Sequence, residues 1–248
     1  MELWEWYREK DSMPHELRQR VEFIFQSSTL HERLEWPDLH KMYFNTTADA
    51  FRAIIRAAPK SYISETDAQG RTLLSWASQS GDFETMATCL DLGADPEIAD
   101  TCGLRPLHYA LLEGSISSIQ LLLAKNADAN ALVYRGVSGY VWKNSLCFVN
   151  DGSTEAVDML LDHGAFIDHL DYAGYTPFLV AASDNGPHLM RVLAVRGANI
   201  HARDTNGESA LHVAIWTKSH DCLQHLLSCK ETDIEAEDNL DGPHYITQ

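Results

Sequence analysis

Residues 67–77 and 100–110 carry one text at a step of 33 positions. Asp67-Ala-Gln-Gly70-Arg-Thr72-Leu-Leu74-Ser-Trp76-Ala77 falls on Asp100-Thr-Cys-Gly103-Leu-Arg105-Pro106-Leu107-His108-Tyr109-Ala110. Gly81 then falls on Gly114, and Gly93-Ala94-Asp95 on Asn126-Ala127-Asp128. The same spacing returns from Asp171 to Asp204, Gly174 to Gly207, Thr176 to Ser209 and Ala181 to Ala214. A last unit slips by one residue, setting Asn199-Ile200 on Asp233-Ile234 and Asp204 on Asp238. A period of this length constrains the fold more than any local propensity. Each unit is a small supersecondary element that can bury its apolar face only against its neighbours.

Within a unit the residues read as a turn followed by two short helices. Gly70, Gly103, Gly136, Gly174 and Gly207 stand where a turn needs positive φ. Thr72, Thr176 and Ser209 are placed as helix N-caps, and Pro106 and Pro177 at a first helical position. Ile119-Gln-Leu-Leu-Leu-Ala124 and Val157-Asp-Met-Leu-Leu161 supply apolar stripes at helical spacing.

The combination of an Asp-x-x-Gly turn, a Thr/Pro-Leu-His-x-Ala helix start and a Leu-Leu-x-x-Gly-Ala-Asp/Asn close resembles the ankyrin-repeat family over about residues 36–248. The Leu-His start recurs at Leu39-His40, Leu107-His108 and Leu211-His212. The text around Trp36-Pro-Asp-Leu-His40 and from Asp67 to Asp100 is similar to arrays common in filamentous fungi. The resemblance implies an all-α ankyrin-repeat solenoid of stacked helix pairs with β-hairpin fingers, about five to six repeats plus an N-terminal helical cap. The expected divisions are a cap at 1–35, a degenerate first repeat at 36–66, and repeats at 67–99, 100–132, 133–170, 171–203 and 204–237. Residues 238–248 then read as a partial repeat that stops mid-unit. The cap helix would run through Pro14–Phe25 with Leu17, Val21, Ile24 and Phe25 on one side, and Ala48–Ala57 would be the outer helix of the degenerate repeat. The resemblance also implies that His108 and His212 hydrogen-bond between repeats.

One unit departs from the pattern. From Asn126-Ala127 to Gly164-Ala165 the step is 38, so five residues are added between Gly136 and Gly152. Two registers fit. Either Ser138 starts the inner helix and a long turn precedes Gly152, or Asn144-Ser-Leu146-Cys147-Phe148-Val149 is the inner helix and the finger before it is long. The second is preferred, because Leu146 and Val149 then recover apolar sites and Asn144 can cap. The finger would carry Tyr134, Arg135, Tyr140 and Trp142. Aromatic residues and Arg dominate binding hot spots, although such rings also serve by folding back onto neighbouring helices.

Composition narrows the function classes. Lys and Arg number 19 against 36 Asp and Glu, a formal net charge of -17, and no basic cluster offers phosphate contacts. Nucleic acid is therefore not an expected partner, and a basic or neutral protein is. No apolar run approaches the roughly 18–20 residues of a spanning helix, so no membrane partner is expected, and the charged Met1–Lys10 stretch has no signal-peptide h-region. Five scattered cysteines without a CxxC fit a reducing compartment. An intracellular protein, cytoplasmic or nuclear, is expected.

Phosphate-loop, dinucleotide, serine-hydrolase and zinc-protease motifs are all missing from the sequence. His220, Cys222, His225 and Cys229 have ligand-like spacing, but Cys222 falls on a buried apolar site of the repeat. No catalytic residue, metal or cofactor is assigned. The binding candidates are the exposed positions of fingers and inner-helix ends together with the aromatic column: Trp76, Tyr109, Glu113, Tyr134, Arg135, Tyr140, Trp142, Tyr175, Asp184 and Trp216. Packing between adjacent helices is the favoured role for Trp76 and Tyr109. Two functions remain open. The first is a protein-protein interaction module that binds through its concave face and fingers. The second is a small-molecule pocket, catalytic or not, roofed by the finger at 134–143 over Trp76, Tyr109 and Trp216. There Glu113 or Asp184 would be the acid or base and Arg135 or Arg105 the anion holder.

Overall fold

The computed structural model describes residues 48–57, 63–133 and 143–228. The expected cap at 1–35 and the partial repeat at 238–248 lie outside these residues. An opening helix, α1 (Ala48–Ala57), is followed by helix pairs α2 (Leu73–Gln79) and α3 (Phe83–Asp91), then α4 (Pro106–Glu113) and α5 (Ile116–Ala124). A four-residue 3-10 turn, Ser145–Phe148, stands in front of α6 (Glu155–Asp162). The pairs α7 (Pro177–Ser183) with α8 (Pro187–Val195) and α9 (Ala210–Trp216) with α10 (His220–Ser228) complete the array. No strand occurs among the described residues beyond the isolated antiparallel bridges Val133–Lys143 and Arg203–Ser209. The protein is an all-α solenoid.

Inner helices pack in a row, α2 on α4, α4 on the 3-10 turn, that turn on α7, and α7 on α9. The outer helices form a second layer, with α1 against α3, α3 against α5 and α5 against α6. The core runs between the layers through Leu74, Met86, Leu107, Leu111, Ile119, Leu122, Leu146, Leu160, Leu179 and Met190, all fully buried. Helix starts follow their residues. Thr72 Oγ1 accepts the Ser75 N–H at 3.2 Å, and Thr176 Oγ1 accepts the Leu179 N–H at 3.3 Å. At α4 the N-cap is Arg105, which cannot accept, and there His108 Nδ1 takes the Arg105 N–H at 3.0 Å instead.

Polar side chains tie each repeat to the next at one recurring place. Glu97 Oε1 accepts the Asp128 N–H at 2.9 Å, Asn130 Oδ1 accepts the Phe166 N–H at 2.8 Å, and Asp168 Oδ1 accepts the Asn199 N–H at 2.9 Å. His108 Nε2 donates to Ala131 O at 3.2 Å, the cross-repeat bond expected of the Leu-His position.

The divergent unit adopts the second register, with one change. In the other fingers the leading residue's N–H donates to a carbonyl four positions on, as from Asp100 to Leu104 and Asp171 to Tyr175. Here Val133 N–H donates to Lys143 O at 3.1 Å, so the finger closes ten positions on. The inner helix begins after Lys143 but amounts to a single 3-10 turn, because extended Val149 and the turn-forming Asn150-Asp151-Gly152 follow at once. Asn144 stands at its N-cap, but its side chain makes no capping bond to the backbone. Its Nδ2 reaches across to Phe166 O at 2.9 Å, the kind of tie His108 makes elsewhere. Ser145 Oγ, on that turn, is buried with no hydrogen-bond partner.

Candidate functional site

Two exposed edges flank the row of inner helices. On one side stand the fingers. In four of them a single carboxylate organises the turn: Asp67 Oδ1 accepts the Gln69 and Arg71 N–H groups, Asp100 those of Cys102 and Leu104, Asp171 those of Ala173 and Tyr175, and Asp204 those of Asn206 and Glu208, all at 2.8–2.9 Å. Neighbouring fingers are bonded to each other through their backbones, Thr101 N–H to Gln69 O at 2.8 Å and Thr205 N–H to Ala173 O at 3.0 Å. The glycines at these tips are required twice over. Gly174 has φ +80°, and a Cβ there would lie 2.9 Å from Thr205 N.

The aromatic column is anchored to these fingers. Trp76 Nε1 donates to Asp67 Oδ2 at 3.0 Å, and the Arg71 guanidinium lies 3.6 Å from the centroid of the Trp76 ring. Arg71 also pairs with Asp67 at 3.0 Å. Burial works against the Asp67 charge, yet the N–H donors of Arg71, Trp76 and Gln69 and the Arg71 charge outweigh it and hold the carboxyl below its usual range. Tyr109 repeats the device, its hydroxyl donating to Asp100 Oδ2 at 2.6 Å. Burial, that hydrogen bond and the Asp100 charge all raise its pKa. Tyr109 is buried and Trp76 half-buried. Both polar handles stand nine residues after their finger aspartate, a spacing in which the anchor could have been read.

Tyr175 lies half-buried in its finger, with its pKa raised by burial and by Asp204, Glu208 and Asp171. Glu113 and Asp184 close α4 and α7 on the opposite edge, both exposed. Trp216 ends α9 there and is 66% exposed. Tyr134, Arg135, Tyr140 and Trp142 lie outside the described residues. These positions do not converge. Trp76 and Trp216 are separated by the rows of α4, the 3-10 turn and α7, a distance of about 35 Å at about 8–10 Å per packed helix, so the two rings share no pocket. Arg105 is engaged by Glu97, with Nε donating to its carbonyl at 3.2 Å and pairing with its carboxylate at 3.3 Å. Cys222 is fully buried and its thiol donates to Ala181 O; Cys229 is outside the described residues. Among the described residues no group of three potential ligands gathers for a metal, and no helix is long and apolar enough to cross a membrane. The sequence did not single out Asp151 or Asp221, which share the edge with Glu113 and Asp184: Asp151 lies in the divergent unit, and Asp221 falls inside the first turn of an outer helix.

Two family models, both described as ankyrin repeats, match residues 74–123 and 146–238. The chain belongs to the ankyrin-repeat family. Among curated proteins it is 29% identical over 166 residues to the human SH3 and multiple ankyrin repeat domains protein 2, a match covering 66% of this chain and 9% of that protein. It is 34% identical over 127 residues to the mouse B-cell lymphoma 3 protein homolog, covering 49% of this chain and 27% of the relative. The fungal Ankyrin repeat protein nuc-2 of Neurospora crassa is 26% identical over 206 residues, or 80% of this chain and 18% of the relative. The matched region thus spans about a quarter or less of each relative's length. Ankyrin repeats are protein-interaction modules.

Proposed function

We propose that this chain is a binding module that docks a basic protein partner on its fingers and inner-helix wall, with the long finger of residues 134–142 as an anchor. The observation that carries this reading is the backbone bonding of finger to finger. A row of turns fixed by their own aspartates and by each other loses little conformational entropy on binding, so contact area converts to affinity efficiently. Of the tip residues on that frame, Gln69, Thr101, Thr205 and Asn206 are exposed, and Tyr172 is 71% exposed. The net charge of -17 favours cationic partners and speeds their encounter. An intracellular setting, cytoplasmic or nuclear, accords with the free thiols Cys89, Cys102, Cys147 and Cys222.

The test is a paired capture from lysate. The baits are the wild-type chain and a Tyr134→Ala/Tyr140→Ala/Trp142→Ala variant, each with an unchanged thermal melt by circular dichroism. A protein held by the wild type and lost from the variant is the expected result. Equal capture by both baits would remove the finger from the binding surface, and capture of nothing by either would remove the interaction reading for the source used.

A further inference from the structure

The loops joining inner to outer helices form the edge opposite the fingers, and contacts pass from each loop to the next. A Cβ on Gly81 would lie 3.6 Å from Glu113 Cγ, and one on Gly114 would lie 2.7 Å from Asn150 Nδ2. Asp151 Oδ1 accepts the Leu189 N–H at 2.7 Å, and Asn185 Nδ2 donates to Asp221 Oδ2 at 2.8 Å. The edge is therefore a continuous strip. Two apolar side chains on it have no cover, Leu112 at 52% exposure and Trp216 at 66%, one on α4 and the other on α9. The matching positions on α2 and α7 are Gln79 and Ser183. Along this edge stand four carboxylates, Glu113 at the end of α4, Asp151 in the loop before α6, Asp184 after α7 and Asp221 in the first turn of α10, with Lys218 beside Trp216 as a cation among them. Among the described residues neither Glu113 nor Asp184 is in an ion pair, and the carbonyl ends of α4, α7 and α9 add partial negative charge.

We infer that this edge receives an extended, basic segment of a protein partner, with Leu112 and Trp216 taking apolar side chains near its two ends. The inference rests on the interaction-module reading above and narrows the partner to one chemistry. Leu112 and Trp216 are three helix rows apart, about 27 Å at about 8–10 Å per row. A chain extended in the polyproline-II conformation, at about 3.1 Å per residue, covers that distance in about nine residues, and its three residues per turn bring every third side chain to the same face, at about the spacing of the loops. Charge selects the occupant. Exposed apolar anchors set among carboxylates, two of them unpaired, repel an acidic segment, and a second copy of this chain brings another -17 to the contact. A lysine or arginine at each third position satisfies the carboxylates it covers.

The test uses the full chain and a fluorescein-labelled ten-residue peptide with leucine at each end and lysine at every third position, followed by anisotropy. A companion peptide of the same composition has its lysines grouped. Trp216→Ala and Leu112→Ser are each expected to weaken binding by about tenfold, the scale of a buried anchor lost. Glu113→Gln with Asp184→Asn should weaken it comparably and flatten its dependence on salt. Val195→Ser, on the outer layer, should leave it unchanged, and the grouped peptide should bind more weakly than the spaced one. Failure of the spaced peptide to bind, equal binding by the Trp216 variant, or indifference to lysine spacing overturns the assignment. Finger-dependent capture from lysate is unaffected by any of these results, so the two readings fail separately.

Discussion

His108 is the residue whose chemistry the fold fixes most tightly. Its Nδ1 accepts the Arg105 N–H and its Nε2 donates to Ala131 O, a pair of bonds that only the neutral Nε2–H tautomer can make. Burial, helped by the Arg105 charge, lowers its pKa from 6.5 to about 4, against the opposing pull of the Ala131 bond and nearby aspartates. The unfolded chain takes up this proton near pH 6.5 and the folded chain only near pH 4. The stability that His108 confers is therefore complete above pH 6.5 and declines as pH falls through that window, by about 3 kcal/mol in all. Urea midpoints measured from pH 7 to pH 4 should show this slope in the wild type and a shallower one in His108→Gln. Equal slopes would mean that other groups govern the acid response. That this ring would bridge repeats was implied by the resemblance of the Leu-His text to the ankyrin repeat. Sequence could not show that Asn144 would make the corresponding bridge one repeat later, since that side chain sits at a cap position and reaches Phe166 O only because the helix behind it is cut short.

The finger is an element whose geometry four residues dictate. An aspartate accepting two N–H groups fixes its loop, and a glycine at positive φ lets the next finger's backbone come close. Gly174→Ala meets both obstacles, φ +80° and Thr205 N at 2.9 Å, whereas Gly93→Ala meets only the first, with φ +94° and nothing within 4 Å. Thermal melts should show Gly174→Ala losing about 2 kcal/mol or more and Gly93→Ala about 1 kcal/mol. Similar losses from both would argue that finger-to-finger contact contributes nothing. The four regular fingers were legible in Asp67, Asp100, Asp171 and Asp204 because the bonds that build them are local. The fifth was legible in its length. Its place in the pattern holds Val133, which has no carboxylate to organise a turn; the preferred register placed its end before Asn144, and the Val133 N–H bond to Lys143 O closes it there. The site was less legible than the fold. Trp76 and Tyr109 carried aromatic character that suggests a contact surface, yet their polar atoms are committed to their own fingers. Trp216, with an exposed ring, is where the alignment put it.

Across the whole array, stability is a sum of units and the interfaces between them, so the weakest unit sets local opening. That unit is the middle one. A four-residue 3-10 turn offers fewer side chains to α4 and α7 than the seven- and eight-residue helices elsewhere, and it carries the orphaned Ser145 hydroxyl. Amides of residues 145–153 should exchange with deuterium at least tenfold faster than those of α4 and α7, for which native-state hydrogen exchange read by mass spectrometry is the measurement. Uniform protection along the row would show that the layer of outer helices, strapped by Arg196 to Asp158 and Asp162, carries the unit. The shortened inner helix has a mechanical consequence as well. In the inner row, with helical rods on both sides and only one short turn between them, the array is stiff in two blocks and more compliant at the joint between them. A load drawn along its length bends and parts it there before either block yields.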